Sequence, residues 1–462
     1  MSIPRSAAAV LAALLLTASA APAAAQEAGE ISYETFTLDN GLRVILHQDR
    51  STPVVAVDVW YDVGARDEER GRSGFAHLFE HMMFQGSGNV DKAQHLTMVE
   101  SVGGSVNGST TEDRTNYFET VPANRVNLAL WLEADRMRSL AVTEENLENQ
   151  RETVKEERRL RVDNQPYGKA FLRFTTMPYD SATCFGYAHS VIGSMEDLNA
   201  AGVEDVQSFF DTYYAPNNAT LTVSGDFEAD EVRELIQRYF GGIERSEPPA
   251  EVACEVDYGA GFQADTIMDP NANLPAIFWS YRVPPHDHPD AYPLQLLSRL
   301  FGQGESSRLH RELVKETGAA AQVNAFLSSR RGPGLFAGFA IANQGVPADS
   351  LLGLVQSEVR RLAEEPPTAE ELEKAKNAYE ASEIQGRQRV LQKAEELQHF
   401  AHFHEDLSEI NSALQRYLAV ERRDLRRVVD EYLNRDNLSV VVTLPASESE
   451  SDAETEQEGS ER

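Results

Sequence analysis

The run His77-Leu78-Phe79-Glu80-His81 holds the donor types that metal-assisted hydrolysis needs. On a helix, positions i and i+4 share one face and i+3 lies beside them. His77 and His81 would then present two imidazoles on one patch, with the Glu80 carboxylate next to them. Neutral imidazole suits Zn²⁺, and a nearby unligated carboxylate suits a general base for water activated by that ion. Two ligands are too few, because catalytic zinc sites use three protein ligands and leave a position for water. The segment TEENLENQRETVKEERRLRV (143–162) is crowded with Glu and is a source for the third. Each Glu there is equally at home on a solvated helix face.

Other clusters carry less chemistry. His399, His402 and His404 form HFAHFH. His399 and His402 share a helical face, but no carboxylate or Cys completes a known metal spacing, so a helix surface is expected. His286 and His288 flank a loop after a strand and read as solvent-facing. GQGES (302–306) is glycine-rich but lacks the Lys of a phosphate loop. It reads as a turn before a helix beginning at Ser307, where Ser307 and Arg308 are candidates to touch a substrate backbone.

The elements that must position the motif follow from patterning. SYETFTLDNGLRVILHQ (32–48) has an Asn-Gly turn between alternating segments, a β-hairpin. Val54 to Val63 alternates as a half-buried strand, and Gly64 ends it. The motif helix follows from about Gly74, then a helix at 92–102. GGSVNGSTTEDRTNYFETVP (103–122) gives two strands around a polar turn. Apolar spacing predicts helices at 123–139, 143–162, 203–214 and 228–240, and a strand at 219–224. Asn164 to Gly168 breaks the pattern, and 244–256 is rich in Pro, Glu and Ala, as a linker is. A second unit starts with the strand LPAIFWSYRVP (274–284). It continues with a helix at 289–301, strands near 319–328 and 334–342, helices at 347–364 and 369–386, and a helical stretch to about 434. It ends on the strand LSVVVTLP (438–445). The recurring order implies an α+β fold of two homologous domains, each a mainly antiparallel sheet flanked by helices.

Composition bounds the setting. MSIPRSAAAVLAALLLTASAAPAAAQ has one basic residue, an apolar run and small residues before Gln26, the pattern of a cleaved secretory signal peptide over 1–25. Export is expected, a bacterial periplasm being the natural destination, and no later stretch is apolar enough to span a membrane. The formal charge of −32 disfavours nucleic acid and anionic lipid and favours basic peptides. The only two cysteines, Cys184 and Cys254, can pair in an oxidising compartment, although sequence does not show that they meet. Residues 446–462 hold seven acidic residues and one Arg with no apolar anchor, a disordered tail.

WYDVGARDEERGRSGFAHLFEHMMFQGSG resembles the active-site segment of the pitrilysin/insulinase family of zinc peptidases, whose H-x-x-E-H order is the inverzincin signature. The likeness is to the two-domain type similar to mitochondrial processing peptidase and its bacterial relatives. GGSVNGSTTEDRTNYFETVP, ETVKEERRLRVDNQPYG and LLSRLFGQGESSRLHRELVKETGAAAQV extend it, from about 33 to 445. The resemblance implies a zinc endopeptidase acting on extended peptides or unfolded segments. It divides the mature chain into an N-terminal zinc-binding peptidase domain (26–245), a linker (246–260) and a C-terminal homologous domain without a metal site (261–445). His77, His81 and Glu157 would hold Zn²⁺, with Glu156 the rival for the third place, and Glu80 would be the general base. Asn107, on the edge strand, would orient the substrate backbone, and Gly108 after it, where many relatives have Ala, would belong to the same substrate-binding edge and make the strand looser. Gln150 stands where some relatives carry a supporting Glu. Many relatives also carry an Arg and a Tyr seven apart on a strand of a substrate-binding domain. Here Tyr281 has Leu274 seven before it, and Trp279 has Ala272. The missing Arg implies a second polypeptide, either another copy or, preferred here, a homologous subunit that supplies the pair. The alternative reading is a non-catalytic peptide-binding or scaffold subunit.

Overall fold

Residues 34–48 form the expected hairpin, with β1 (Glu34–Thr37) antiparallel to β2 (Arg43–Gln48) around Gly41, whose φ of +94° suits glycine. The computed structural model describes residues 30–446 except Glu405. The expected leader over 1–25 lies outside the described residues, and so does the expected acidic tail beyond Ala446. From Ile31 onward the chain forms a single unit.

Two sheets organise it. The first runs β1-β2-β6-β3-β5-β4, with β3 (Val54–Tyr61), β4 (Ser105–Thr110), β5 (Thr115–Pro122) and β6 (Ala219–Gly225). The second runs β7-β11-β8-β10-β9, with β7 (Gln263–Asp269), β8 (Ala276–Val283), β9 (Ala320–Ser328), β10 (Gly334–Ala342) and β11 (Leu438–Pro445). Without β1, the orders correspond strand for strand. Each has one parallel pair, β2 with β6 and β7 with β11, and is otherwise antiparallel. The α+β class and the duplication are therefore present. The second sheet begins one strand earlier than the sequence pattern suggests. QADTIMD in β7 alternates at a sheet edge with few strong apolar residues, so its signal is weak.

One face of each sheet carries helices from its own half. On the first, Val55, Val57, Val59 and Tyr61 pack with Phe79, Leu130 and Ile236. On the second, Ile277, Trp279 and Tyr281 pack with Leu297, Val355 and Val428. The other faces are covered by exchange. Helix Gly168–Thr176 and the segment after it place Phe174, Tyr179 and Tyr187 against Phe278, Leu335 and Val441 of the second sheet. Helix Val390–Phe403 lies on the first sheet, where Val390 and Ala394 meet Ala56, and Leu397 and Phe400 meet Ile45. Its buried Gln398 donates from Nε2 to the carbonyls of Asp58 (2.9 Å) and Thr220 (2.7 Å). This cover explains why β3 is buried on both faces, not one as its alternation implies: Asp58 is wholly enclosed, and Trp60 is 6 % exposed. Burial pushes the Asp58 carboxyl up to about 8, against donation from Asn116 and Trp60.

Cys184 and Cys254 form a disulfide. It fastens the exchanged segment beside the second sheet, in the cluster that holds Tyr179 and Tyr187.

Candidate metal centre

The motif helix spans Phe75–Met82 and has two faces. Phe75, Leu78, Phe79 and Met82 are buried, and Phe79 packs on Phe209, Phe210 and Tyr214 at centroid distances of 4.2 to 5.9 Å. His77, Glu80 and His81 occupy the rest of the surface, at the helical spacing expected. Gly74 starts the helix at φ +89°, and a Cβ there would lie 2.9 Å from the Ile192 carbonyl and the Gly193 Cα. The free amides of the first turn are answered by Glu68, which accepts from Gly74 N (2.8 Å) and Ala76 N (2.7 Å). Burial raises the Glu68 carboxyl well above its ordinary range, although both amides oppose the shift. Glu68 was not foreseen from sequence, because it reaches the helix across a loop and not from a capping position.

The helix Glu144–Arg158 supplies the third donor. Thr143 caps it, accepting from Asn146 N at 3.2 Å. Gln150 and Val154 are buried, and Glu157 continues their stripe at i+7 and i+3. Glu157 Oε2 lies 3.2 Å from His81 Nε2 and 3.6 Å from His77 Nε2. One ligand atom from each of the three residues falls within 4.8 Å of the others. Glu156 turns outward: its side chain is 57 % exposed and pairs with Arg159 at 3.0 Å. The structure thus brings Glu157, not Glu156, to the two histidines. Gln150, in place of the supporting Glu of some relatives, takes no part in the cluster and donates to Asn149 at 2.7 Å.

The donor set fits a zinc ion by its chemistry. Burial, and then the neighbouring His81, push His77 down to about 4, so its imidazole is neutral near pH 7. The Glu157 carboxyl is held below its usual range by the hydrogen bond from His81, against burial, so it is anionic. Two imidazoles and one carboxylate are a hydrolytic zinc set. Arg161 Nη1 holds the other Glu157 oxygen at 2.6 Å.

Glu80 stands apart from that trio. Its Oε2 accepts from Thr110 Oγ1 at 2.6 Å, on edge strand β4. Burial raises its carboxyl, and the Thr110 bond opposes the shift. Thr110 is a residue that sequence reasoning missed, although strand alternation puts it on the same face as Gly108. A Cβ on Gly108 would lie 3.3 Å from Glu80 Cγ and 3.1 Å from the Tyr117 ring. Gly108 therefore lets β4 approach the carboxylate closely. Asn107 is exposed and, by the same alternation, sits on the opposite face of β4.

The remaining expectations fare differently. Ser307 and Arg308 are 2 % and 8 % exposed. Ser307 Oγ donates to Gly304 O at 2.7 Å, and the Arg308 fork grips Glu371 at 2.9 and 2.8 Å. These bonds brace a loop of the second half; they leave no side-chain donor facing outward for a substrate. Tyr281 is 3 % exposed inside the second core, so it faces no substrate either. The histidines of HFAHFH do not lie on a helix surface. The His402 and His404 side chains are each 8 % exposed, because their helix is sandwiched between the sheet and the second half. His286, expected in solvent, meets His404 at 2.8 Å.

The fold and this site define a class. Residues 43–175 match the model for insulinase, peptidase family M16, and residues 201–379 match the model for the M16 peptidase inactive domain. A zinc protease, PqqE, of Helicobacter pylori is 31 % identical over 421 residues, covering 89 % of this chain and 92 % of its own. The chain belongs to peptidase family M16. A crystal structure of a protease from Helicobacter pylori superimposes with a TM-score of 0.86 at 29 % identity, over 90 % of this chain and all of that one. The periplasmic protease PqqL of Escherichia coli shares the fold, with a TM-score of 0.72 at 18 % identity; 89 % of this chain covers 47 % of that one. Among the described residues, no helix is long and apolar enough to cross a membrane.

Proposed function

We propose that this chain is a zinc-dependent endopeptidase for extended peptides or unfolded segments. The observation that carries the reading is the separation of duties at the cluster. His77, His81 and Glu157 converge on one point, while Glu80 is held off it by Thr110. The first three would hold Zn²⁺. When bound, the ion acidifies a water and polarises the scissile carbonyl. Glu80, partly desolvated, would take a proton from the attacking water and deliver it to the leaving amine. Burial that raises its proton affinity makes Glu80 a stronger base for the first half of that transfer.

Substrate would add as a strand along β4, whose outer edge carries no partner strand in the sheet. A groove of about 920 Å³ runs beside Glu157, lined by Glu145, Glu148, Glu152 and Glu156 and by the exposed Leu160. Its charge favours basic residues in the peptide, an attraction weakened by salt. The name of the Helicobacter relative, zinc protease, agrees with this activity. A homologous second subunit would complete the substrate chamber. The buried Tyr281, the absent Arg and the double length of the Escherichia coli protease support that pairing. Export to a periplasm is in keeping with the periplasmic setting of that protease and with the leader-like N-terminus of this chain.

The test is metal content measured beside hydrolysis of a quenched peptide library. Glu80→Gln should retain the zinc held by the native chain and lose about 10²–10⁴-fold in turnover. Parallel loss of metal and turnover in Glu80→Gln would make Glu80 a ligand. An inactive native chain that binds peptide would leave the scaffold reading standing.

A further inference from the structure

Three histidines unused by the peptidase reading meet at the seam between the halves. His286 follows β8 of the second sheet; His399 and His404 lie at the end of the helix that covers the first sheet. One ring nitrogen from each falls within 4.8 Å of the others. His286 Nε2 and His404 Nε2 are 2.8 Å apart. The His286 ring stands edge-on to both of the others, at centroid distances of 4.5 and 4.7 Å.

The protonation pattern makes the cluster more than a stack. His404 Nδ1 lies 3.0 Å from Glu409 Oε2. Glu409 is also gripped by both Arg416 nitrogens, at 3.0 and 2.8 Å, and these bonds hold its carboxyl below the usual range. An ionised carboxylate only accepts, so Nδ1 carries the proton and Nε2 presents a lone pair to His286. That carboxylate–imidazole pairing is how proteins fix the tautomer of a metal-ligating histidine. His399 makes no side-chain hydrogen bond within the described residues. Burial lowers the proton affinity of all three rings.

The rings also border a cavity of about 810 Å³, which includes Trp60, Arg114 and Glu395 but none of His77, Glu80, His81 or Glu157. An ion and a water can therefore reach them. Bonds of about 2.1 Å to each nitrogen put tetrahedral neighbours about 3.4 Å apart, so the His286–His404 pair, at 2.8 Å, would open by about half an ångström around the ion, and His399 would close from a separation of no more than 4.8 Å.

We propose that His286, His399 and His404 form a second metal site, distinct from the peptidase centre. It would take a divalent transition ion that prefers imidazole, Zn²⁺ first, with its fourth position open to the cavity. Bound there, the ion clamps the loop after β8 to the helix lying on the first sheet. It joins the halves where the polypeptide link between them is long.

The experiment uses the full chain carrying His77→Ala and His81→Ala, so that the peptidase centre cannot contribute. After chelation and dialysis, it is titrated with Zn²⁺, and with Co²⁺ as a visible-absorption probe. One equivalent should remain, with the d–d bands of nitrogen-rich tetrahedral cobalt and a rise in melting temperature of about 3 °C at saturating zinc. Adding His399→Ala should abolish all three signals. Should that variant fold poorly by circular dichroism, Glu409→Gln serves instead, with affinity falling about 10–100-fold. No metal in the His77/His81 variant, or metal that survives loss of both His399 and His404, overturns the proposal. Neither result touches the peptidase reading. That reading fails separately, if removing His77 and His81 leaves the native metal content unchanged.

Discussion

At the scale of single residues, the site depends on side chains that answer one another. Thr110 is the clearest case: its hydroxyl holds Glu80 by one 2.6 Å bond and hydrogen-bonds to neither histidine. Thr110→Val keeps the shape and removes the donor. Turnover should fall about tenfold, the factor for one lost hydrogen bond of about 1.4 kcal/mol, with zinc content unchanged. An unaltered rate would show that Glu80 is positioned by something else. Arg308 and Glu371 illustrate the purely structural case. The Arg308 fork, against burial, brings the Glu371 carboxyl from 4.5 down to about 2. A depressed carboxyl contributes stability that is present above pH 4.5 and lost as pH falls through 2. Glu371→Gln should therefore lower the unfolding free energy measured by urea at pH 6, by about 1 kcal/mol after allowance for solvent screening. The difference from the native chain should vanish near pH 2. A pH-independent difference would mean that the loss is one of packing.

At the scale of elements, helix Gly168–Thr176 and the disulfide act together. Cys184 follows that helix, and Cys254 lies 70 residues on. Closing such a loop removes unfolded-state entropy worth roughly 4 kcal/mol in the chain-entropy account. Replacing both cysteines by Ala should lower the melting temperature by several degrees and leave the metal content proposed for His77, His81 and Glu157 unchanged. An unchanged melting temperature would show that the aromatic cluster of Phe174, Tyr179 and Tyr187 secures the segment alone. Most elements were legible from sequence because their apolar periods are regular: the hairpin, the motif helix, β8 to β10 and β11 all fall where patterning put them. What was not legible came from across the molecule. The helix Gly168–Thr176 follows the Asn164–Gly168 break and is covered by a distant sheet. β3 alternates like a half-exposed strand, yet a helix some 340 residues later closes its second face. HFAHFH looks like a helix surface for the same reason. The metal trio was readable in two stages: His77 and His81 by spacing, and Glu157 only through the family likeness. Thr110 reaches Glu80 by tertiary approach and Glu68 reaches the motif helix across a loop, so neither had a signal in helical spacing; Arg161 lies four residues after Glu157, an i, i+4 pair that spacing could have shown.

At the scale of the whole molecule, neither half owns all of its covering layers. A fragment ending at residue 245 would lack Val390, Ala394 and Gln398, and would expose Ala56, Asp58 and Ile45. Expressed alone, it should aggregate or lack a cooperative transition. Co-expression with the remainder should recover a soluble complex; a fragment that melts cooperatively alone would show the exchanged helix to be dispensable. The exchange also sets an order of events during biosynthesis. Synthesis at about 5–20 residues per second separates Gly225, the end of the first sheet, from Gln398 by about 10–35 s. For that interval the nascent sheet has no lid on one face, and its motif helix has no settled support. On the peptidase reading proposed above, the chain would be incomplete as a catalyst until nearly its last helices are made, so a nascent protease would be held inert by its own topology.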